Sequence, residues 1–177
     1  MRSIQNYQID SKVLELKGTV TKDLEFINKA LNNPKQIELI FRGSEHGFRA
    51  SEFHRLCDNT EDTFVLVRTE FGRTVAGYTH YKWNEMPNGN YVKDSARRAF
   101  LLLLDLQEKL VPIKDDQLIC NLTTYGPIFG GGCDFVITDN CNTNCSGCNV
   151  GNTYNHEGTN KYVLQHPTTY AAICGRP

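Results

Sequence analysis

The feature that most constrains the fold is a pair of short segments rich in β-branched and aromatic residues, separated by a turn that contains glycine. The first segment covers residues 63–69, the turn covers 70–73 and includes Gly72, and the second segment covers 74–83. Residues of these types favour extended backbone, and a short glycine-containing connection permits the chain to reverse. The pattern therefore predicts a β-hairpin.

Short strand candidates outnumber helix candidates in the rest of the chain. Further strands are predicted over residues 37–42, 117–124, 134–139, 162–164 and 169–174. Helices are predicted over residues 21–31 and 50–57, where apolar residues recur on one face. Residues 99–106 are apolar on both sides, which leaves strand and helix open. Because helix and strand do not alternate regularly, the sequence favours a mainly β (α+β) fold, an antiparallel β-sandwich with peripheral helices.

Length and composition predict one domain with a short extension. The chain has 177 residues, of which 40% are hydrophobic and 22% are charged, as in globular domains. Residues 1–20 are polar and weakly patterned, so we expect an N-terminal lead-in there and the domain itself over residues 21–177. Residues 140–158 are rich in Asn, Gly, Cys and Thr and predict a long loop.

Charge and hydropathy disfavour several functional classes. The net charge is −1, which supplies no drive toward polyanions, so we do not expect nucleic-acid binding. The longest apolar run covers six residues, 99–104, whereas a membrane-spanning helix needs about 20. The first ten residues lack the apolar core of a signal peptide. We therefore expect a cytoplasmic protein with no membrane insertion and with reduced thiols.

A cysteine cluster is the first candidate for chemistry. Cys141, Cys145 and Cys148 have the spacing C-x3-C-x2-C, and Cys133 lies eight residues upstream. Four thiolates could hold zinc in a tetrahedron and staple a segment poor in apolar residues, although the paired C-x2-C pattern of typical zinc sites is absent. Redox-sensing thiols and small structural loop residues are the alternatives. The sequence leaves these three interpretations open.

Two further motifs have a structural interpretation beside a chemical one. His54 and Cys57 lie three residues apart on a predicted helix, which would place both on one side as a Cys–His nucleophile pair requires, but a buried cysteine with a capping or partly exposed histidine is the simpler interpretation. We therefore do not expect enzyme activity at this pair. Gly130, Gly131 and Gly132 precede a strand without the Gly-Lys-Ser/Thr ending of a phosphate-binding loop, so they predict a sharp turn or a close approach of two segments.

Five blocks of the chain together resemble the TLDc domain of the oxidation-resistance family. They are FRGSEHGFRASEFHRLCDN (residues 41–59), TFVLVRTEFGRTVAGYTHYKW (63–83), AFLLLLDL (99–106), GPIFGGGCDFVITDN (126–140) and NVGNTY (149–154). The blocks occur in the family's order and cover about residues 37–165. Cys133 stands where the family usually has histidine, and Cys141, Cys145 and Cys148 enrich a segment that is usually rich in serine and asparagine.

This resemblance implies a sandwich of two antiparallel sheets flanked by short helices. It also implies a cytoplasmic module without established catalysis, which binds the catalytic sector of the vacuolar-type proton ATPase and is linked to resistance against oxidative stress. Such a module would reach endolysosomal or vacuolar membranes through its protein partner. The residues carried over are expected to shape turns and core, with no catalytic, cofactor or metal role: Gly43, Gly47, Phe48, Gly77, Tyr78, Trp83, Phe129, Gly130, Gly131 and Gly132.

Overall fold

A computed structural model of the chain describes residues 20–69, 72–155, 163–164 and 169–176, with side chains described within residues 22–69 and 72–155. Apart from residue 20, the predicted lead-in over residues 1–20 lies outside these ranges, as do residues 70–71 of the predicted hairpin turn. Among the helices that the structure describes, none combines the length and the apolar character needed to cross a bilayer.

Within the described ranges the chain forms three helices and thirteen strands. The helices are α1 (Val20–Ala30), α2 (Gly43–His46) and α3 (Ala50–Cys57). The strands are β1 (Glu38–Arg42), β2 (Thr63–Thr69), β3 (Thr74–Thr79), β4 (Asn90–Tyr91), β5 (Ala99–Leu103), β6 (Glu108–Pro112), β7 (Ile119–Asn121), β8 (Tyr125–Phe129), β9 (Phe135–Thr138), β10 (Gly147–Asn149), β11 (Tyr154–Asn155), β12 (Val163–Leu164) and β13 (Thr169–Arg176).

The described strands form two antiparallel sheets. One has the order β1-β13-β2-β3-β5-β6-β11, and the other has the order β12-β10-β9-β8-β7-β4. The predicted hairpin is confirmed, because β2 pairs with β3 from Thr63 opposite Thr79 to Arg68 opposite Thr74. The predicted antiparallel sandwich with peripheral helices is therefore also confirmed.

Strand β5 resolves the ambiguity of residues 99–106. Leu101 and Leu103 belong to the core cluster between the sheets, whereas Phe100 and Leu102 belong to a second cluster on the opposite face. Successive side chains of a strand point to opposite faces, so a strand that is covered on both faces must be apolar at every position. The continuous apolar run therefore reflects a strand buried on both sides.

Helix α1 contributes to the cover of the second face of that sheet. Its Ile27 is fully buried in the same cluster as Phe100 and Leu102. Polar contacts hold both ends of the helix: the Gln107 side-chain amide donates to Asp23 at 3.0 Å, and the Lys109 ammonium donates to the carbonyl of Ala30 at 3.2 Å. The sequence prediction of a helix over residues 21–31 thus agrees with the structure to within one residue.

Several elements differ from the sequence predictions. Residues 43–46, for which the sequence predicted neither helix nor strand, form the short helix α2, and the long loop predicted over residues 140–158 contains the strands β10 and β11. The prediction of an uninterrupted loop was wrong because both strands are only two or three residues long and carry few apolar side chains. Strands that short owe their pairing to neighbouring backbone rather than to a sequence pattern.

Gly77 shows why a central strand contains a glycine. A β-carbon at this position would lie 2.5 Å from two ring carbons of Phe129, which reaches across from β8 in the other sheet and is fully buried. The ring also packs edge-to-face against Trp83, whose indole nitrogen donates to Thr63 at 3.0 Å. The missing side chain therefore makes room for the aromatic centre of the core.

We expect Gly77→Ala to lower the free energy of unfolding by about 1–3 kcal/mol, because the added methyl group overpacks the Phe129 site. Gly147→Ala is the matched control, since its β-carbon would lie an ordinary 3.6 Å from Val136 in the neighbouring strand. Urea denaturation measures both variants. Equal midpoints for the two would contradict this account of Gly77.

Candidate functional site

The glycine turn after β8 is built around a buried carboxylate. Asp134 is fully buried, and its Oδ2 accepts hydrogen bonds from the backbone N–H groups of Thr153 at 2.7 Å and Tyr154 at 3.0 Å. Its Oδ1 accepts from the N–H of Asn152 at 2.9 Å. Three backbone donors compensate for the loss of water around the carboxylate. We call this arrangement the Asp134 clasp.

Gly130 permits the clasp to form. Its φ of +82° lies in the left-handed region, and a β-carbon there would lie 2.1 Å from Oδ2 of Asp134. The next residue contributes a further bond, since the N–H of Gly131 donates to Thr153 Oγ1 at 2.9 Å. Two sequence blocks that resemble the family, residues 126–140 and 149–154, thus hold each other in place.

His54 joins helix α3 to the start of strand β8. Its Nδ1 lies 2.6 Å from a carboxylate oxygen of Asp58, and its Nε2 lies 2.8 Å from the carbonyl oxygen of Tyr125. Burial lowers the pKa of His54, but the hydrogen bond and charge of Asp58 and the backbone of Tyr125 and Leu122 together raise it above its ordinary value. Because both partners are acceptors, the imidazolium form satisfies both contacts at once.

The structure does not arrange His54 and Cys57 as a nucleophile and its base. They lie on the same helix, and Cys57 is fully buried in the core cluster between the sheets. Both ring nitrogens of His54 face acceptors other than this thiol. With both ring nitrogens directed at these oxygens, His54 has no nitrogen directed at the Cys57 thiol, as a general base for that thiol would need.

The four cysteines of the sequence cluster lie in different environments. Cys141 and Cys148 are buried, whereas Cys133 and Cys145 are exposed. Burial and the charge of Asp134 raise the pKa of Cys148 to about 12. Partial loss of hydration and the charge of Asp134 raise the pKa of Cys133 as well, although its side chain is exposed. Among the residues that the structure describes, no three His, Cys, Asp or Glu side chains converge as metal ligands would.

A groove of about 640 Å³ lies beside the edge strand β4. Three separate segments form it, at residues 81–86, 90–94 and 98, and 116–117, and we call it the β4 groove. Its walls combine aromatic and apolar side chains with charged ones. The residues that line it are Tyr81, Glu85, Met86, Asn90, Tyr91, Val92, Lys93, Asp94, Arg98, Asp116 and Gln117.

One wall of the β4 groove is a coupled trio of side chains. The hydroxyl of Tyr81 donates to Asp94, and the guanidinium of Arg98 donates to the same carboxylate oxygen at 2.9 Å while lying 5.4 Å from the centre of the Tyr81 ring. Hydrogen bonds from Tyr81 and Arg98 hold the pKa of Asp94 well below its ordinary value. Burial and Asp94 raise the pKa of Tyr81 to about 12. Asp94 and Arg98 therefore neutralise each other.

Sequence reasoning missed the β4 groove. Its residues come from the end of the strand predicted over residues 74–83, from residues 85–98, for which no strand or helix was predicted, and from the start of the strand predicted over residues 117–124 with residue 116 beside it. No spacing rule connects them. The only local signal is that Tyr81 and Tyr91 stand among polar residues. Their convergence depends on the pairing of β4 with β7, which places Tyr91 opposite Cys120.

The His54 contacts predict a pH-dependent contribution to stability. A histidine whose pKa is raised on folding stabilises the fold fully below its ordinary value of 6.5, and this contribution is lost as pH rises through the folded-state value. We therefore expect His54→Phe to cost more unfolding free energy at about pH 5.5 than at about pH 9. Asp58→Asn should weaken this dependence. An equal loss of unfolding free energy in His54→Phe at both pH values would contradict a pH-dependent contribution of His54.

The cysteine environments predict two classes of thiol. In a chain carrying Cys174→Ser, we expect the exposed Cys133 and Cys145 to react with Ellman's reagent in the folded chain, and the buried Cys57, Cys120, Cys141 and Cys148 to react only after unfolding. Elemental analysis of the same sample, purified without added metal, should find no bound zinc. One zinc per chain, with Cys133 and Cys145 protected until a chelator is added, would instead support the zinc alternative.

Comparison with family models identifies the domain. The sequence family model described as the TLDc domain matches residues 12–169, which is most of the 177-residue chain. The matched range includes both halves of the Asp134 clasp. No curated protein matches the chain. The resemblance stated from five sequence blocks is thereby confirmed. The chain belongs to the TLDc domain family.

Proposed function

We propose that the chain is a non-catalytic interaction module that binds the catalytic sector of the vacuolar-type proton ATPase. The observation that carries this proposal is the Asp134 clasp. One side chain from each of the two family-like blocks, Asp134 and Thr153, accepts a hydrogen bond from a backbone N–H group of the domain itself. Side chains used in this way stabilise a scaffold, and a scaffold with an open surface groove suits protein binding.

The proposed partner follows from family membership, since proteins with this domain bind the proton ATPase and influence the assembly of its catalytic sector. A cytoplasmic module would meet that sector on the cytoplasmic side of endolysosomal or vacuolar membranes. We further propose that its link to oxidative-stress resistance is indirect and acts through the partner. The elevated pKa of Cys133 supports this, because a thiol with a raised pKa is a poor nucleophile near neutral pH.

The alternative function is a zinc-bound or thiol-based redox protein that uses Cys133, Cys141, Cys145 and Cys148. The observation that favours it is the exposure of Cys133 and Cys145, which leaves two thiols accessible on the surface. The burial of Cys141 and Cys148 argues against it, because all four thiols would have to move together to share one metal ion. We therefore rank the interaction module first.

Binding to the isolated catalytic sector tests the proposed function. The immobilised chain at micromolar concentration should retain the sector, and a tenfold excess of free chain should release it, because specific binding saturates. Retention is measured by blotting for a sector subunit. Failure to retain the sector, or retention that free chain does not reduce, would contradict the proposal.

A further inference from the structure

We propose that the β4 groove binds an extended peptide segment that carries basic side chains, contributed by a protein partner. This inference specifies the surface and the partner chemistry of the proposed function. Three observations carry it: the balance of unpaired charge in the groove, the amphipathic character of its walls, and its position beside the edge of a sheet.

The unpaired charge of the β4 groove is negative. Asp94 and Arg98 pair with each other, which removes one charge of each sign. Of the remaining charged side chains, Glu85 and Asp116 are exposed and carry carboxylates, and Lys93 is exposed and carries an ammonium group. None of these three forms an ion pair with another residue that the structure describes. Two carboxylates against one ammonium favour a cationic occupant.

The walls of the groove suit an arginine or lysine side chain in particular. Tyr81 and Tyr91 supply aromatic surface, and Met86 and Val92 supply aliphatic surface next to the charged groups. Long basic side chains bury their methylene stems against such surfaces while the charged end meets carboxylates. An acidic or purely apolar segment would satisfy only part of this lining.

The groove also lies along a sheet edge. Strand β4 ends the order of the six-stranded sheet, and β7 is its one neighbour among the described strands. The backbone on the other side of an edge strand offers hydrogen-bonding groups to an added strand. An extended segment bound there can form backbone bonds with β4 and direct alternate side chains toward Glu85 and Asp116.

A synthetic peptide tests the groove without the natural partner. The probe is acetyl-Val-Arg-Val-Arg-Val-amide, and its matched control has glutamate in place of arginine. We expect the arginine peptide to shift the amide NMR signals of residues 90–94 in a saturable way, and the glutamate peptide to leave them unchanged. Equal responses to both peptides, or shifts that are absent from residues 90–94, would overturn the proposal.

Charge neutralisation tests the two carboxylates. The double variant Glu85→Gln, Asp116→Asn should weaken binding of the arginine peptide by roughly three- to twentyfold, as expected for the loss of two exposed ion pairs. The control variant Glu25→Gln, Glu38→Gln removes two exposed carboxylates from α1 and β1, outside the groove, and should leave the affinity unchanged. An equal loss in both variants would overturn the assignment of the groove.

The same variants distinguish this inference from the proposed function. If the unaltered chain binds the arginine peptide but does not retain the catalytic sector, the groove assignment stands and the ATPase proposal fails. If the chain retains the sector, and the groove and control variants retain it equally well, the ATPase proposal stands and the groove is not its contact surface. Loss of retention in the groove variant alone supports both.

Discussion

The Asp134 carboxylate is the buried contact that ties the two sheets together at one end of the sandwich. It immediately precedes β9 in the six-stranded sheet, and it accepts hydrogen bonds from residues 152–154, where β11 of the seven-stranded sheet begins. One side chain therefore connects the two layers at this end of the sandwich. A buried carboxylate is tolerated only with such partners, so the contact fixes the path of residues 149–155. The hydroxyl of Tyr154 adds a bond to the carbonyl of Leu118 at 2.8 Å.

The composition of the core strands follows from the alternation of side chains along a strand, which places successive residues on opposite faces of the sheet. β2 and β5 are covered on both faces, by the second sheet on one side and by a cluster that includes α1 on the other. β5 is consequently apolar at every position and β2 is apolar from residue 64 to residue 67. The aromatic centre formed by Trp83, Phe129 and Phe53 fits only because Gly77 lacks a side chain. The scaffold is thus specified by packing, and variable function is left to its surface.

Much of this architecture could be predicted from the sequence, and the limits have physical causes. The helices α1 and α3 carry a periodic apolar face and were predicted to within one residue. The hairpin was predicted from its β-branched and aromatic residues, although β3 ends at Thr79 rather than at residue 83. β10 and β11 were missed because each contributes only one buried side chain, Cys148 or Tyr154, which is too short a pattern to indicate a strand. One partner of His54, Asp58, lies four residues along the same helix, but the other is a backbone carbonyl 71 residues away, which no sequence motif could reveal. The β4 groove was missed for a similar reason, because it joins residues 81–98 to residues 116–117, which no spacing rule connects.

The Asp134 clasp is the origin of order in residues 152–154, and amide hydrogen exchange measures that order directly. In Asp134→Asn the N–H groups of Thr153 and Tyr154 should lose protection by roughly tenfold or more, because a charge-assisted hydrogen bond contributes about 1.5–3 kcal/mol. Amides in β2 should stay the best protected, and the exposed substitution Asp116→Asn should change none of them. Unchanged protection of Thr153 and Tyr154 in Asp134→Asn would contradict the central claim.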